Sequence, residues 1–281
     1  MNRLLFFLLC TLILSNANGQ IYITPTDADT VRQVSLSNLT KDRHTMIALV
    51  FGQSNAGNYG KSEYTLHNGS VFNYYGGKLY AAKDPLIGTT GTGVSVWTRV
   101  ADMVIDSGLY NKVILIPIAV GGSAISRWAS GDCSIKLQET LRLLDSQHIK
   151  LTHVFWHQGE TDNLLNTAKE TYKKTLDTIL NSLHTHHQDA EMYVSIASYH
   201  PGAIAKPLGV DRVIRTAQME FINEQKGVLL GPDTDLLIHA IHRHDGVHFS
   251  DFGLTAFARL WFKALVEKRE LAKDDFQLSN K

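Results

Sequence analysis

Residues 46–57 read MIALVFGQSNAG. Six apolar residues, Met46 to Phe51, run without interruption and stop at Gly52, where small polar residues take over. A short apolar run closed by turn formers predicts a strand buried on both faces, as in a parallel sheet. The signature recurs at 113–120 (VILIPIAV), 154–156, 192–197 (MYVSIA) and 228–230. Helical spacing fills the intervals. Val94, Trp97, Ala101, Val104 and Ile105 form one apolar stripe; Ile135, Leu137, Leu141 and Leu144 form a second. Tyr172, Leu176, Ile179 and Leu183 form a third, and Val213, Ala217, Phe221 and Ile222 a fourth. Phe252, Ala256, Leu260, Trp261, Ala264 and Leu265 predict a C-terminal helix ending near residue 269. Strands alternating with helices predict an α/β fold, a parallel sheet with helices on both faces.

One stretch breaks this rhythm. Residues 57–93 hold eight glycines and five tyrosines without a clear period. They read as a structureless insertion directly after the first strand, and therefore at the C-terminal edge of the sheet, where α/β proteins bind ligands.

The whole chain has 281 residues, 44% hydrophobic and 19% charged, an ordinary globular composition. Its length suits one α/β domain or two small ones. The 27 basic and 27 acidic residues cancel. No basic surplus is present to neutralise phosphates, which argues against a nucleic-acid partner. At the N-terminus, Arg3 precedes an apolar run from Leu4 to Leu14 and a small-residue site, Ala17-Asn18-Gly19. This is the layout of a secretory signal peptide over residues 1–19, and it predicts a secreted or periplasmic protein. The apolar run is too short for a membrane span. Loss of residues 1–19 removes Arg3 and Cys10, so Cys133 remains without an intrachain partner. Residues 20–44 then form a polar N-terminal lead-in, residues 45–268 the working domain, and residues 269–281 a polar tail.

Four strand ends carry chemistry. The first presents Ser54 in a small-residue turn, partly like a G-x-S-x-G nucleophile turn with Ala56 in place of the last glycine. A serine hydroxyl needs a base, and a histidine base needs a group that fixes its tautomer. Asp245-Gly246-Val247-His248 offers both, the glycine permitting a turn that brings the carboxylate to the ring. Ala119-Val120-Gly121-Gly122-Ser123 allows a backbone N–H to approach a substrate closely. His157-Gln158-Gly159-Glu160-Thr161-Asp162 supplies a side-chain amide. In a parallel sheet these ends lie on one edge and can share a pocket.

Taken in order, GQSNA, AVGGS, HQGETD and DGVH resemble the SGNH (GDSL-type) hydrolases, above all the branch of sialate O-acetylesterases and carbohydrate acetylesterases. The similarity spans roughly residues 45–265. It implies a flavodoxin-like three-layer α/β/α sandwich and a serine esterase that removes O-acetyl groups from a carbohydrate, a polysaccharide or a sialic acid, without metal or organic cofactor. It implies Ser54 as nucleophile, His248 as base and Asp245 as its acid partner. The oxyanion donors fall on the Ser54 N–H, the Gly121 N–H and the Gln158 side chain, with Gly122 as the alternative in the doubled glycine. Glutamine stands at 158 where other SGNH enzymes carry asparagine, in agreement with this branch.

Other residues invite rival readings. His239, His242, His244 and His248 with Asp245 form a dense cluster, which raises a metal hydrolase as a competitor, although the spacing fits no helical ligand motif. Glu160 and Asp162 read as supports for the site. Arg127 and Trp128 follow the second block and suit either a sugar contact or a surface pair. A lipid or aryl esterase on the same triad, and a carbohydrate-binding protein without catalysis, complete the alternatives.

Overall fold

The computed structural model describes residues 20–39 and 44–279. The expected export segment, residues 1–19, lies outside the described residues. Among the described residues, eight strands form one sheet: β1 (Gln33–Val34), β2 (Thr45–Gly52), β3 (Val71–Tyr75), β4 (Lys78–Ala81), β5 (Lys112–Pro117), β6 (His153–His157), β7 (Glu191–Ile196) and β8 (Val228–Asp233). Their order is β1-β4-β3-β5-β2-β6-β7-β8. From β3 to β8 every pairing is parallel, while β4 runs antiparallel to β3 and β1 antiparallel to β4. The run β5-β2-β6-β7-β8 is the flavodoxin-like order 2-1-3-4-5.

Among the described residues, eight α-helices accompany the sheet in chain order: α1 (Asp27–Thr30), α2 (Val96–Asp106), α3 (Ile125–Ser130), α4 (Asp132–Ser146), α5 (Glu160–Leu165), α6 (Lys169–Thr185), α7 (Arg212–Phe221) and α8 (Asp251–Ser279). All eight residues of β2 are buried, as the unbroken apolar run requires. Successive side chains of a strand point to opposite faces, so β2 feeds two cores. Ile47, Leu49 and Phe51 join Leu137 of α4, Leu176 of α6 and Ile214 of α7. Met46, Ala48 and Val50 join Trp97 of α2 and Phe257 and Trp261 of α8. The layers are therefore α2 and α8, the sheet, and α3, α4, α6 and α7. Ser95 caps α2 by accepting from the Trp97 N–H at 3.3 Å, and Asp211 caps α7 by accepting from the Val213 N–H at 2.7 Å.

Three expectations are corrected. Residues 57–93 are not structureless, because β3 and β4 form a hairpin that extends the sheet. Its turn is Gly76-Gly77, with φ of 56° and 79°. Two successive positive φ values make a type I′ turn, which matches strand twist, and VFNYY-GG-KLYA carries that signal in the sequence. The lead-in is not separate either: β1 closes the sheet edge, and the Ile23 N–H donates to the Thr89 carbonyl at 3.0 Å. Finally, the α8 backbone stays helical through Ser279, beyond the expected end near residue 269.

Trp97 is fully buried, its ring stacked on Phe155 at 5.2 Å and its Nε1–H donating to the Ala56 carbonyl at 2.9 Å. Trp97→Ala is expected to lower stability by about 4 kcal/mol, the usual cost of deleting a buried indole, measured from the urea midpoint.

Candidate active site

The C-terminal end of β2 approaches that of β6 closely. Gly52 has φ of 123°, and a Cβ there would sit 2.0 Å from the His157 carbonyl oxygen. Only glycine fits. The Gln53 N–H then donates to that carbonyl at 2.9 Å, and Gln53 Oε1 accepts from the N–H groups of Gly159 at 3.3 Å and Thr161 at 3.1 Å. These bonds fix the turn Ser54–Ala56 that follows. Ser54 is 3% exposed.

Next to it, Asn55 links three loops. Its Nδ2 donates to Glu160 Oε1 at 2.9 Å and to the Val247 carbonyl at 3.4 Å. The turn bearing Ser54 therefore touches the loop bearing Asp245 and His248. In that loop Asp245 Oδ1 accepts from the N–H groups of Val247 at 2.9 Å and His248 at 2.7 Å. Its Oδ2 lies 2.7 Å from His248 Nδ1. These bonds to the charged form hold the Asp245 carboxyl well below the ordinary carboxylate range, against the opposing effect of its partial burial. A carboxylate on Nδ1 selects the tautomer with the proton on Nδ1 and a bare Nε2.

The loop rests on Arg243, which is 6% exposed. Its guanidinium donates to the carbonyls of Leu237 (2.8 Å), Val247 (2.6 Å) and Thr234 (3.2 Å). It also lies 3.8 Å from the Phe249 ring centroid. Burial lowers its pKa to about 10. Tyr59 stacks on the His248 imidazole at 4.9 Å and 24°, and its hydroxyl donates to Thr90 Oγ1 at 3.2 Å. Tyr59 and Thr90 both come from residues 57–93, so that stretch does reach the sheet edge beside the site. Neither residue was singled out from sequence; tyrosine and threonine in loops are too common to carry a signal. Asn55 sat inside the quoted GQSNA block and Arg243 beside the aspartate, but only the packing reveals their roles.

Two expected oxyanion donors have other partners. Gln158 is fully buried. Its two amide hydrogens face Gln53 Oε1 (3.3 Å), the Ser123 carbonyl (3.1 Å) and Asp162 Oδ2 (2.5 Å), while its Oε1 accepts from the Tyr172 hydroxyl at 2.9 Å. It bolts the ends of β2, β5 and β6 together, and no donor is left for a ligand. The Gly121 N–H donates to Thr90 Oγ1 at 2.8 Å, and a Cβ on Gly121 would strike the Tyr59 hydroxyl. Among the described residues, the N–H groups of Ser54 and Gly122 have no acceptor.

The histidine cluster divides. His244, Asp245 and His248 converge, whereas His239 pairs with His242, their rings 6.3 Å apart, and His242 stacks on Phe252 at 5.4 Å. Trp128 is buried in edge contact with Phe51 and Trp156, and Arg127 pairs with Asp132 at 2.6 Å. Neither is positioned as a sugar contact. Burial pushes the Cys133 thiol up to about 12, which makes it a poor nucleophile.

A family model described as carbohydrate esterase, sialic acid-specific acetylesterase (SASA), matches residues 44–266. Among solved structures, a protein of Arabidopsis thaliana aligns at TM-score 0.63 with 19% identity, covering 80% of this chain and 98% of that one. NanS aligns at 0.58 with 14% identity, covering 82% and 99%. The psychrotrophic esterase EstA from Pseudoalteromonas aligns at 0.50 with 13% identity, covering 81% and 99%. No curated protein matches the chain. At these identities the structures share the fold.

Glu160 is fully enclosed. Burial alone pushes its carboxyl up, but His157 Nε2 at 3.1 Å and Asn55 outweigh burial and hold it at about 2. A depressed carboxylate contributes stability that is fully present above its unfolded pKa, near 4.5, and is lost as pH falls through about 2. Glu160→Gln is expected to lower stability by about 3 kcal/mol at neutral pH, because it removes the charged acceptor of two buried hydrogen bonds, from His157 and Asn55. Denaturant titrations along a pH series should show the gap from the parent constant above about pH 5 and shrinking toward pH 2.

Proposed function

Because the chain belongs to the sialic acid-specific acetylesterase (SASA) family of carbohydrate esterases, and so is a carboxylic ester hydrolase, we propose that Ser54, His248 and Asp245 remove O-acetyl groups from an exported enzyme's carbohydrate substrate. One observation carries this reading. The Asp245–His248 pair, closed at 2.7 Å, stands in a loop held to the Ser54 turn through Asn55 and Val247. All of it lies at the C-terminal edge of the sheet, beside the β2/β6 junction.

His248 Nε2 takes the proton of Ser54 Oγ as that oxygen bonds to the acetyl carbonyl carbon. Asp245 stabilises the imidazolium through Nδ1–H. The oxyanion rests on the Ser54 N–H and on the Gly122 N–H, neither of which has an internal acceptor among the described residues. Such a donor is typically worth about 3 kcal/mol in the transition state. The tetrahedral intermediate collapses, the sugar oxygen leaves with the proton from His248, and an acetyl–Ser54 ester remains. Water, deprotonated by His248, attacks that ester; acetate departs and Ser54 recovers its proton. Residues 1–19 direct export in this reading, to the periplasm or the medium.

Ser54→Ala is expected to cut acetate release from acetylated xylan, pectin or sialic acid by at least about 10⁴-fold while leaving the thermal midpoint nearly unchanged. Unaltered turnover would refute the assigned nucleophile. Acetyl and octanoyl nitrophenyl esters compared at equal concentration should favour acetyl; a clear octanoyl preference removes the carbohydrate acetylesterase assignment in favour of a lipid esterase.

A further inference from the structure

The loop that carries the acid and the base holds a third potential ligand with no part in the hydrolysis. His244, Asp245 and His248 occupy positions i, i+1 and i+4 of one tight turn. One ring nitrogen or carboxylate oxygen from each lies within 4.8 Å of the other two. Asp245 Oδ2 is 2.7 Å from His248 Nδ1 and 3.9 Å from His244 Nε2.

Hydrogen bonds within the protein hold the turn. Asp245 Oδ1 takes two backbone N–H groups, the His244 N–H donates to the His248 carbonyl at 2.9 Å, and Arg243 and Phe249 form a bridge at its base. His244 Nε2–H donates to the Tyr59 carbonyl at 3.1 Å, a bond that an ion on this nitrogen displaces together with the proton. The side chains of His244, Asp245 and His248 are 26%, 42% and 21% exposed, so an ion can enter from solvent and keep water on its open positions.

We infer that His244 Nε2, Asp245 Oδ2 and His248 Nδ1 form an inhibitory site for a divalent transition ion of the Zn²⁺ class. Metal–ligand bonds of about 2.0–2.2 Å in a tetrahedral site separate neighbouring ligand atoms by about 3.4 Å. The observed 2.7 and 3.9 Å straddle that value, so the partly exposed side chains reach it once the His244 ring turns from the Tyr59 carbonyl toward Asp245. Two imidazoles and one carboxylate suit zinc, copper or nickel and do not suit magnesium or calcium, which prefer all-oxygen sites.

Inhibition follows from the tautomer. Catalysis needs the proton of neutral His248 on Nδ1, held by Asp245, with Nε2 bare to receive the Ser54 proton. An ion on Nδ1 leaves the imidazole proton on Nε2 and occupies the carboxylate as well. The base is then blocked without any loss of fold. His244 adds the third bond that makes such a site selective, and it serves no step of ester hydrolysis.

The inhibition rests on the proposed function, whereas ion binding does not, so both are measured on the full chain. Calorimetry with ZnCl₂ should show one bound ion, and micromolar zinc should lower nitrophenyl acetate turnover at least tenfold, reversed by EDTA; MgCl₂ should do neither. His244→Ala, and His244→Gln, which keeps a donor for the Tyr59 carbonyl, should weaken zinc binding by about tenfold or more. Both should keep turnover in EDTA within twofold of the parent. Absence of zinc binding to the parent, or unchanged affinity in both variants, overturns the site. Stoichiometric, His244-dependent binding by a protein that hydrolyses no ester upholds the site and overturns the esterase reading. Loss of turnover in EDTA would overturn both, in favour of a metal hydrolase.

Discussion

The buried carboxylate of Glu160 ties together the loops at the mouth of this sheet. Glu160, at the start of α5, sits in the interior between His157 at the end of β6 and Asn55 in the turn after β2. An isolated charge in that position would be prohibitively costly. Its partners make it tolerable, and in doing so they are themselves fixed. Asn55, held by Glu160 through the amide nitrogen, reaches the Val247 carbonyl with the same group. A turn early in the chain is thereby registered against a loop near its end.

Around that anchor the molecule uses two kinds of force. Apolar burial builds the layers and is non-directional, so it places strand ends only to within the tolerance of packing. Hydrogen bonds then set the side chains. Gln53, Gln158 and Asp162 form a buried polar network across the ends of β2, β5 and β6. Such a network is stabilising only when its members are satisfied. The amide of Gln158 is spent on it. A residue that the family pattern marks for substrate contact thus serves here to hold the pocket wall. The N–H groups of Ser54 and Gly122 stand outside it.

Much of this architecture was legible in the chain. The runs at 46–51, 113–120, 154–156, 192–197 and 228–230 became β2, β5, β6, β7 and β8 because strands buried on both faces are built mainly from apolar residues. The β3–β4 hairpin escaped because VFNYY and KLYA mix polar with apolar residues, and the eight glycines of 57–93 drew attention away from the one pair that forms the turn. The Asp245–His248 pairing was legible too, because three residues and a glycine make it a local event. Tyr59 against His248, and Thr90 against Gly121, are contacts between residues far apart in the chain, and no local pattern announces them.

By itself the sequence determined the alternation of buried strands and amphipathic helices, the presence of a serine turn at the first strand end, and an aspartate–histidine turn near the last helix. These follow from periodicity and from short-range backbone geometry, which a chain carries locally. Which hydrogen-bond donors remain free, which histidines converge and which carboxylates are enclosed were decided only by the tertiary structure. Each depends on how several loops divide a limited set of acceptors among themselves, and that division exists only once the strand ends have been brought together.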